Sequence, residues 1–315
     1  MSNAKNDMPI LIFELLFLIA LSLGVMLYSR NVIGSTTDTT IAILNVTNNP
    51  PTIYNVSIKP DPPISLQGTN TTTTLINCTS KIRDPNGWDD ITTVNATIYF
   101  ELSGYDEDNS SADNNYRYFN TSCDCVSISS TNASCYCLFG VWYYANNGSW
   151  RCTVKAADAF GLSDTKNSTL FEISPVIGIG TADVLDYGDL SVTETSASKP
   201  LKVYNFGNVP INISVRGWGG TEAYSNDYSN VSMICEVGNI SMHYERYATN
   251  ISISYGNMTN LSNTSTLIPD FTLPVRTNDV AYGNDSNVTY WRIYVPSQVS
   301  GSCNGTIEIT AIQAE

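Results

Sequence analysis

The chain has 315 residues and a formal net charge of −14, with 15 basic and 29 acidic side chains. Because nucleic-acid binding needs a basic surface, this balance excludes nucleic acid as an expected partner. Only 14% of the residues are charged, and Ser, Thr, Asn and Tyr supply the remaining polarity, a mixture that favours strands and turns in about two domains.

The first clear pattern is Pro9–Tyr28, a stretch that is nearly all apolar. As a helix rising about 1.5 Å per residue, it would be roughly 30 Å long, which matches the hydrocarbon core of a bilayer. It lacks the shorter apolar core and the Ala-x-Ala-like exit of an ordinary signal peptide. The sequence therefore predicts an uncleaved membrane anchor within residues 1–34.

Glu14 is an ionisable residue inside this stretch, where a charge is costly and usually functional. The run from Ile10 to Ala20 resembles the start of type IV pilins. The resemblance implies that Ile10 begins the mature chain and that Glu14 neutralises the amino terminus of a neighbouring subunit during assembly. The preceding Asn-Asp-Met-Pro departs from the basic-plus-small site of pilin precursors. Residues 9–28 are thus expected to contact either membrane lipid or copies of themselves in a filament.

Residues 35–49 predict a Thr-rich stalk with one short strand at Thr40–Val46. Residues 50–174 then show short alternating runs between turn signals, the pattern of a β-sandwich. From Trp150 to Ala156, apolar and polar residues alternate, which predicts one buried and one solvated face. The predicted strands are Thr52–Ile58, Thr73–Ile82, Ile91–Leu102, Tyr116–Thr121, Leu138–Ala145, Ser149–Asp158 and Ser168–Ile173.

Two motifs in this region carry a resemblance to a known fold. Pro-Pro-Thr-Ile at residues 50–53 and Trp-x-Cys-x-Val-x-Ala-x-Asp at residues 150–158, with a glycine three residues later, resemble immunoglobulin-like domains of archaeal and bacterial surface proteins. The resemblance covers about residues 48–174 and implies fold rather than activity. With Cys78 in an early strand and Cys152 in a late one, it also implies a disulfide between the two sheets.

The four other cysteines of this domain predict a cross-linked hairpin. Cys123 and Cys125 share one strand face, as do Cys135 and Cys137. A turn within residues 127–132 would place Cys125 opposite Cys135 and Cys123 opposite Cys137. This is the geometrically preferred arrangement among the several pairings that the cysteines allow. Their one-residue spacing is shorter than the spacing usual for zinc ligands.

The most acidic short turn has the sequence Asp-Pro-Asn-Gly-Trp-Asp-Asp. Its carboxylates on Asp84, Asp89 and Asp90, joined by Asp158 from a later strand, would suit a structural Ca²⁺, which takes oxygen ligands. Asp-Pro-Asn-Gly is also ordinary turn chemistry, so a plain turn remains the alternative. No other cofactor is expected.

Residues 175–315 again show strands and turns without helical periodicity. Cys235 and Cys303 are the only cysteines here and are expected to pair. An even cysteine count in an exported chain indicates disulfides formed in an oxidising compartment. The predicted strands are Ala182–Tyr187, Leu201–Asn205, Pro210–Arg216, Val231–Glu236, Ile240–Tyr244, Asn250–Tyr255, Phe271–Pro274, Val288–Val295 and Gly305–Ile312.

Three segments of this second region, Asp186–Leu190, Val203–Asn208 and Trp291–Pro296, resemble jelly-roll-like modules of prokaryotic surface and filament proteins. The resemblance implies architecture only. The predicted fold class is therefore mainly β, with an N-terminal transmembrane-type helix followed by two β-sandwiches, immunoglobulin-like and then jelly-roll-like.

Twenty Asn-x-Ser/Thr sequons follow Thr40, more than this composition would produce by chance. Sequons mark surface turns and strands that receive N-linked glycans in exported proteins. The sequons and cysteines all lie beyond the apolar segment, which predicts that this part of the chain is extracellular. The predicted sites are Asn45, Asn55, Asn70, Asn77, Asn95, Asn109, Asn120, Asn132, Asn147, Asn167, Asn212, Asn230, Asn239, Asn250, Asn257, Asn260, Asn263, Asn284, Asn287 and Asn304.

Catalytic signatures are missing from the sequence. His243 is the single histidine, and no Gly-x-Ser-x-Gly, His-Glu-x-x-His, Walker or Gly-x-Gly-x-x-Gly motif is present. The leading expectation is a non-enzymatic surface glycoprotein of an archaeal-type envelope, which contacts its own copies or another cell surface in a structural or adhesive role. The alternatives are a pilin-like filament subunit and a secreted hydrolase that uses paired carboxylates.

Overall fold

The computed structural model describes residues 40–102, 113–228, 230–277 and 284–314. The predictions for residues 9–28, including Glu14, and for Asn109 fall outside these ranges. Within them, no helix has the length and apolar character needed to cross a bilayer. The regular structure of the described residues consists of strands and short 3-10 turns.

The segment preceding the first sandwich is irregular. Residues 40–51 have no regular secondary structure, so the predicted strand Thr40–Val46 is wrong. Strand formation requires a partner for the backbone N–H and C=O groups, and no described strand pairs with this segment. Its large apolar side chains are exposed instead, including Ile41 at 85% and Leu44 at 84%.

The first β-sandwich contains two antiparallel sheets, with the strand orders β1-β2-β6-β5 and β4-β3-β7-β8, and β9 pairs with β7. Alternation in β7 buries Trp150, Cys152 and Val154 between the sheets, as the sequence predicts. On the face predicted to be solvated, Lys155 is exposed but Thr153 is buried. The strands are β1 (Thr52–Lys59), β2 (Thr74–Arg83), β3 (Ile91–Phe100), β4 (Arg117–Asn120), β5 (Asp124–Ser129), β6 (Asn132–Val141), β7 (Gly148–Asp158), β8 (Ser163–Asn167) and β9 (Phe171–Ile173).

The second β-sandwich contains two five-stranded sheets, β10-β11-β18-β15-β16 and β14-β13-β19-β12-β17. Trp291, Phe271 and Leu273 lie in the core that these sheets enclose. The strands are β10 (Ile179–Thr181), β11 (Lys199–Asn205), β12 (Ile211–Gly219), β13 (Val231–Val237), β14 (Asn239–Ser241), β15 (Glu245–Ala248), β16 (Thr259–Asn260), β17 (Thr266–Leu273), β18 (Ser286–Ile293) and β19 (Ser300–Gln313).

Two predicted strands of the second sandwich are wrong, because side chains close local turns there. The strand β10 ends at Thr181, and the residues of the predicted strand Ala182–Tyr187 pair with no described strand. There, the Asp186 carboxylate accepts a hydrogen bond from the Gly188 N–H at 2.8 Å. In Asn250–Tyr255, the Asn250 side-chain oxygen accepts one from the Ser252 N–H at 2.9 Å. Such side-chain bonds compete with strand pairing.

Several other strand bounds differ from the predictions. The predicted strand Ile240–Tyr244 ends at Ser241, where a 3-10 turn begins. β6 begins at Asn132 rather than at Leu138, because its register with β2 runs as far as the Arg83–Asn132 pair. β8 was not predicted, because Ser-Asp-Thr-Lys-Asn is polar throughout. It forms an edge strand that pairs with β7, from Thr153–Asn167 to Ala157–Ser163.

The connection between the sandwiches is held by hydrogen bonds. The buried Asn208 side chain donates to the carbonyl oxygens of Ala145 and Ser174, each at 3.1 Å, and accepts from the Val176 N–H at 2.6 Å. A Cβ atom on the adjacent Gly207 would lie 2.2 Å from the Val176 oxygen. Glycine is therefore needed for the two backbone segments to approach this closely.

Candidate functional site

Four disulfides lie within the two sandwiches, three in the first and one in the second. Cys78 on β2 and Cys152 on β7 are both fully buried and join the two sheets of the first sandwich. The β5–β6 hairpin has two cross-links, and its register places Cys125 directly opposite Cys135. These are the pairs expected from the sequence: Cys78–Cys152, Cys123–Cys137, Cys125–Cys135 and Cys235–Cys303.

Three carboxylates converge at one end of the first sandwich. Asp84 follows β2, Asp90 ends the 3-10 turn Trp88–Asp90, and Asp158 ends β7. One oxygen from each lies within 4.8 Å of the others. Two ligands on opposite sides of a Ca²⁺ ion are separated by about 4.6 to 5.2 Å, so one ion can contact all three carboxylates.

Asp84 is the fully buried member of this cluster. Its Oδ1 accepts a hydrogen bond from the Asn86 N–H at 2.8 Å, whereas its buried Oδ2 has no hydrogen-bond partner in the described chain. Burial raises the pKa of Asp84, and the charges of Asp90 and Asp158 raise it further, against the lowering effect of the backbone N–H groups. A divalent cation would satisfy the buried oxygen and offset the mutual repulsion.

Asp158 also connects the cluster to the segment that precedes β1. Its Oδ1 accepts hydrogen bonds from the N–H groups of Phe160 and Leu162, both at 2.9 Å. Its Oδ2 accepts a hydrogen bond from the Asn48 side chain at 2.7 Å. The carboxylate therefore closes the turn after β7 and fixes Asn48 against it.

Asp89, the fourth predicted ligand, is not part of the cluster. Consecutive residues of a 3-10 turn point about 120° apart, so Asp89 and Asp90 face different directions. Asp89 is exposed, and its carboxylate lies over Gly87 instead: a Cβ atom added to Gly87 would lie 2.5 Å from the Asp89 Oδ1.

The predicted glycosylation sites lie at the surface. Within the described residues, none of the sequon asparagines is buried. Some are exposed in edge strands or turns, such as Asn167 and Asn257, while others are half-buried, such as Asn77 and Asn120. Among the half-buried sites, the Asn77 side-chain oxygen is buried and the Asn120 amide nitrogen donates to the Leu138 oxygen at 3.0 Å, so the exposed sequons are the most accessible to modification.

His243 does not complete a catalytic constellation. Its Nδ1 lies 3.0 Å from the Ser241 Oγ at the exposed end of β14, and no described carboxylate is hydrogen-bonded to the ring. An open groove of about 430 Å³ beside β4 and β6 is lined by residues such as Arg117, Phe119 and Leu138, with no carboxylate among its lining residues. Neither place has the carboxylate pair of a glycoside hydrolase.

No known protein-family model matches the chain, and no curated protein does. Solved structures similar to it include a chaperone–tip adhesin complex of CFA/I fimbriae, 11% identical, covering 83% of this chain and 80% of that chain with a TM-score of 0.29. A second is the CsuC–CsuE chaperone–tip subunit complex from Csu pili of Acinetobacter baumannii, 9% identical, with coverages of 82% and 92% and a TM-score of 0.32.

A third similar structure is the C-terminal domain of the Streptococcus agalactiae AgI/II polypeptide BspA. It is 9% identical, covers 78% of this chain and 92% of that chain, and has a TM-score of 0.20. TM-scores this low assign neither a family nor a function to the present chain.

Proposed function

We propose that this protein is a non-enzymatic, N-glycosylated surface protein with a structural or adhesive role, held at an archaeal-type envelope by residues 9–28. Its two sandwiches would belong to the immunoglobulin-like and jelly-roll-like architectures. The observation that carries the proposal is a pair of β-sandwiches, each with its own internal disulfides, in which no described sequon asparagine is a buried residue. This combination suits a protein that works outside the cell.

The hydrogen-bonded connection at Asn208 supports a projecting role. A linker bonded through side-chain and backbone atoms limits relative motion of the two sandwiches. The disulfides stabilise the folded state further, because they constrain the unfolded chain.

A pilin-like filament subunit is the second candidate, and the observation that favours it is Glu14 within the apolar run after Ile10. The amino terminus of the mature protein separates the two proposals. Retention of Met1 in membrane-extracted protein supports an anchor, whereas an amino terminus at Ile10 supports a filament. Electron microscopy of the native envelope provides the independent check, since isolated projections and fibres look different.

Glycosylation is tested on the natively purified protein. Mass spectrometry of its peptides is expected to find glycans on exposed sequons such as Asn167 and Asn257. Cysteine-containing peptides isolated without reduction should remain linked in the four pairs. Unmodified asparagines together with free thiols would contradict an extracellular location.

We also propose that Asp84, Asp90 and Asp158 bind a structural Ca²⁺. Calcium at about 100-fold above its dissociation constant is expected to stabilise the fold by about 3 kcal/mol, measured as a higher melting temperature than in chelator. The stabilisation should weaken as the pH falls, because protons compete with the cation for Asp84, whose pKa is raised by burial.

The matched variants are Asp84→Asn and Asp89→Asn. Asp84→Asn should abolish the calcium-dependent rise in melting temperature. It should not destabilise the metal-free fold, because burial already favours the neutral side chain. Asp89→Asn should keep the calcium response, because Asp89 lies outside the cluster. Equal calcium responses in both variants would show that the cluster is only a turn.

A further inference from the structure

The outer face of the sheet that contains β15 and β18 carries two arginines directly opposite each other. Arg246 pairs with Arg292 in the strand register, while the neighbouring pair Tyr247–Trp291 faces the core. Like charges opposed across two strands are destabilising. Although the chain has 29 acidic residues, neither arginine forms an ion pair with a described carboxylate.

The guanidinium of Arg246 is held by the protein itself. Its Nε donates to the His243 oxygen at 3.2 Å, and its Nη1 donates to the oxygens of Tyr255 and Gly256, both at 3.1 Å. The guanidinium carbon lies 4.6 Å from the centroid of the Tyr255 ring. Arg246 therefore has a structural role in this turn and places a fixed positive charge beside Arg292.

Within the described residues, Arg292 donates hydrogen bonds from one of its three nitrogens. Its Nε donates to the Ser196 oxygen at 2.9 Å, and its two terminal nitrogens donate to no acceptor in the described part of the chain. A guanidinium anchored at Nε presents Nη1 and Nη2 as a pair, and two such donors match the two oxygens of a carboxylate.

Tyrosines lie on both sides of Arg292. Tyr290 and Tyr294 occupy the alternate positions along the same chain segment, so they share its face. Both are half-buried, and the Tyr294 ring packs against Tyr244 with the centroids 5.3 Å apart. Rings with an apolar face and a polar edge are suited to contact sugars.

We propose that Arg292, between Tyr290 and Tyr294 and beside Arg246, binds a carboxylate of an acidic polysaccharide. This inference rests on the proposed adhesive function and names its ligand class. The strongly negative chain repels a polyanion over most of its surface, so complementary charge favours this face. Asn260, a sequon residue directly opposite Arg246 on the edge strand β16, marks one border of the face.

The test uses the full-length, disulfide-bonded protein and measures binding of polygalacturonate by titration calorimetry. We expect binding that weakens with added salt and that falls about tenfold or more in Arg292→Gln, as loss of a charged hydrogen-bonding group predicts. Arg292→Lys should recover only part of it, because lysine keeps the charge without the paired donors. Lys155→Gln, which removes an exposed cation on β7, should leave binding unchanged.

Three comparison polymers define the ligand. Neutral dextran should not bind, and dextran sulfate and polyglutamate should bind more weakly than polygalacturonate. The proposal is overturned by no binding, by equal loss in Lys155→Gln, or by equal binding of polyglutamate. It is also overturned if binding appears only in Asn260→Gln, because the chain's own glycan would then occupy the face. None of these outcomes alters the amino-terminal, glycan or microscopy results that test the proposed function.

Discussion

Replacing both Cys78 and Cys152 by alanine is expected to lower the free energy of unfolding by about 4 kcal/mol. The bond closes a loop with a sequence separation of 74, and a cross-link of this length removes a large part of the unfolded chain's entropy. Both side chains are fully buried between the sheets, so their removal also leaves a cavity. Denaturant unfolding without reductant measures the loss.

The matched control is Cys125→Ala with Cys135→Ala. That bond spans 10 residues and lies inside the loop that Cys123–Cys137 already closes. The unfolded control chain therefore stays constrained, and we expect a clearly smaller loss of stability than in the first variant. Equal losses would mean that the inter-sheet bond contributes no more than a hairpin cross-link.

Glu245→Gln is expected to stabilise the protein at pH 8 by about 3 kcal/mol. Glu245 is buried in the second sandwich, where its Oε1 accepts a hydrogen bond from the Tyr187 hydroxyl at 2.7 Å. Burial raises the pKa of Glu245 from 4.5 to about 7, against the lowering effect of hydrogen bonds from Tyr187 and Ser232. Each unit of pKa shift corresponds to about 1.4 kcal/mol.

The direction of the pH dependence follows from proton binding. Between about pH 4.5 and 7 the folded state keeps the proton on Glu245 while the unfolded state loses it, so the free energy of unfolding falls as the pH rises through this window. The neutral amide of Glu245→Gln removes that slope and keeps an acceptor for Tyr187. The control Glu172→Gln, at an exposed carboxylate on β9, should keep the wild-type slope. Denaturant unfolding at pH 5, 6, 7 and 8 measures both, and parallel profiles for wild type and Glu245→Gln would contradict the assignment.

Strands that bury one face were predictable from the sequence. In β7 the apolar residues recur with period two between Trp150 and Ala156, and all of them are buried. Thr153 on the opposite face is buried as well, because β8 pairs alongside it. The polar strand β8 has no such signal, because its pairing with β7 is the main reason that it is extended. The predicted strand Asn250–Tyr255 failed for the opposite reason, since the Asn250 side chain closes a turn that the residue pattern does not reveal.

The candidate calcium site was predictable in part. The turn after β2 is recognisable in the sequence as Asp-Pro-Asn-Gly. The prediction that Asp84 and Asp90 lie near Asp158 is confirmed. The exclusion of Asp89 depends on the direction in which each residue of a 3-10 turn points. The unpartnered Oδ2 of Asp84 depends on packing around it.

The sequence alone determined the β class and the surface position of the described sequons, because alternation and local polarity are properties of neighbouring residues. It favoured the cysteine pairs without fixing them, and the structure selected them from the pairings that the sequence left open. Only the tertiary structure decided which distant groups meet: Glu245 with Tyr187, Arg246 with Arg292, and Asp158 with Asn48. These contacts arise from strand register and sheet packing across long separations. A one-residue change of register would turn each side chain to the opposite face of its sheet.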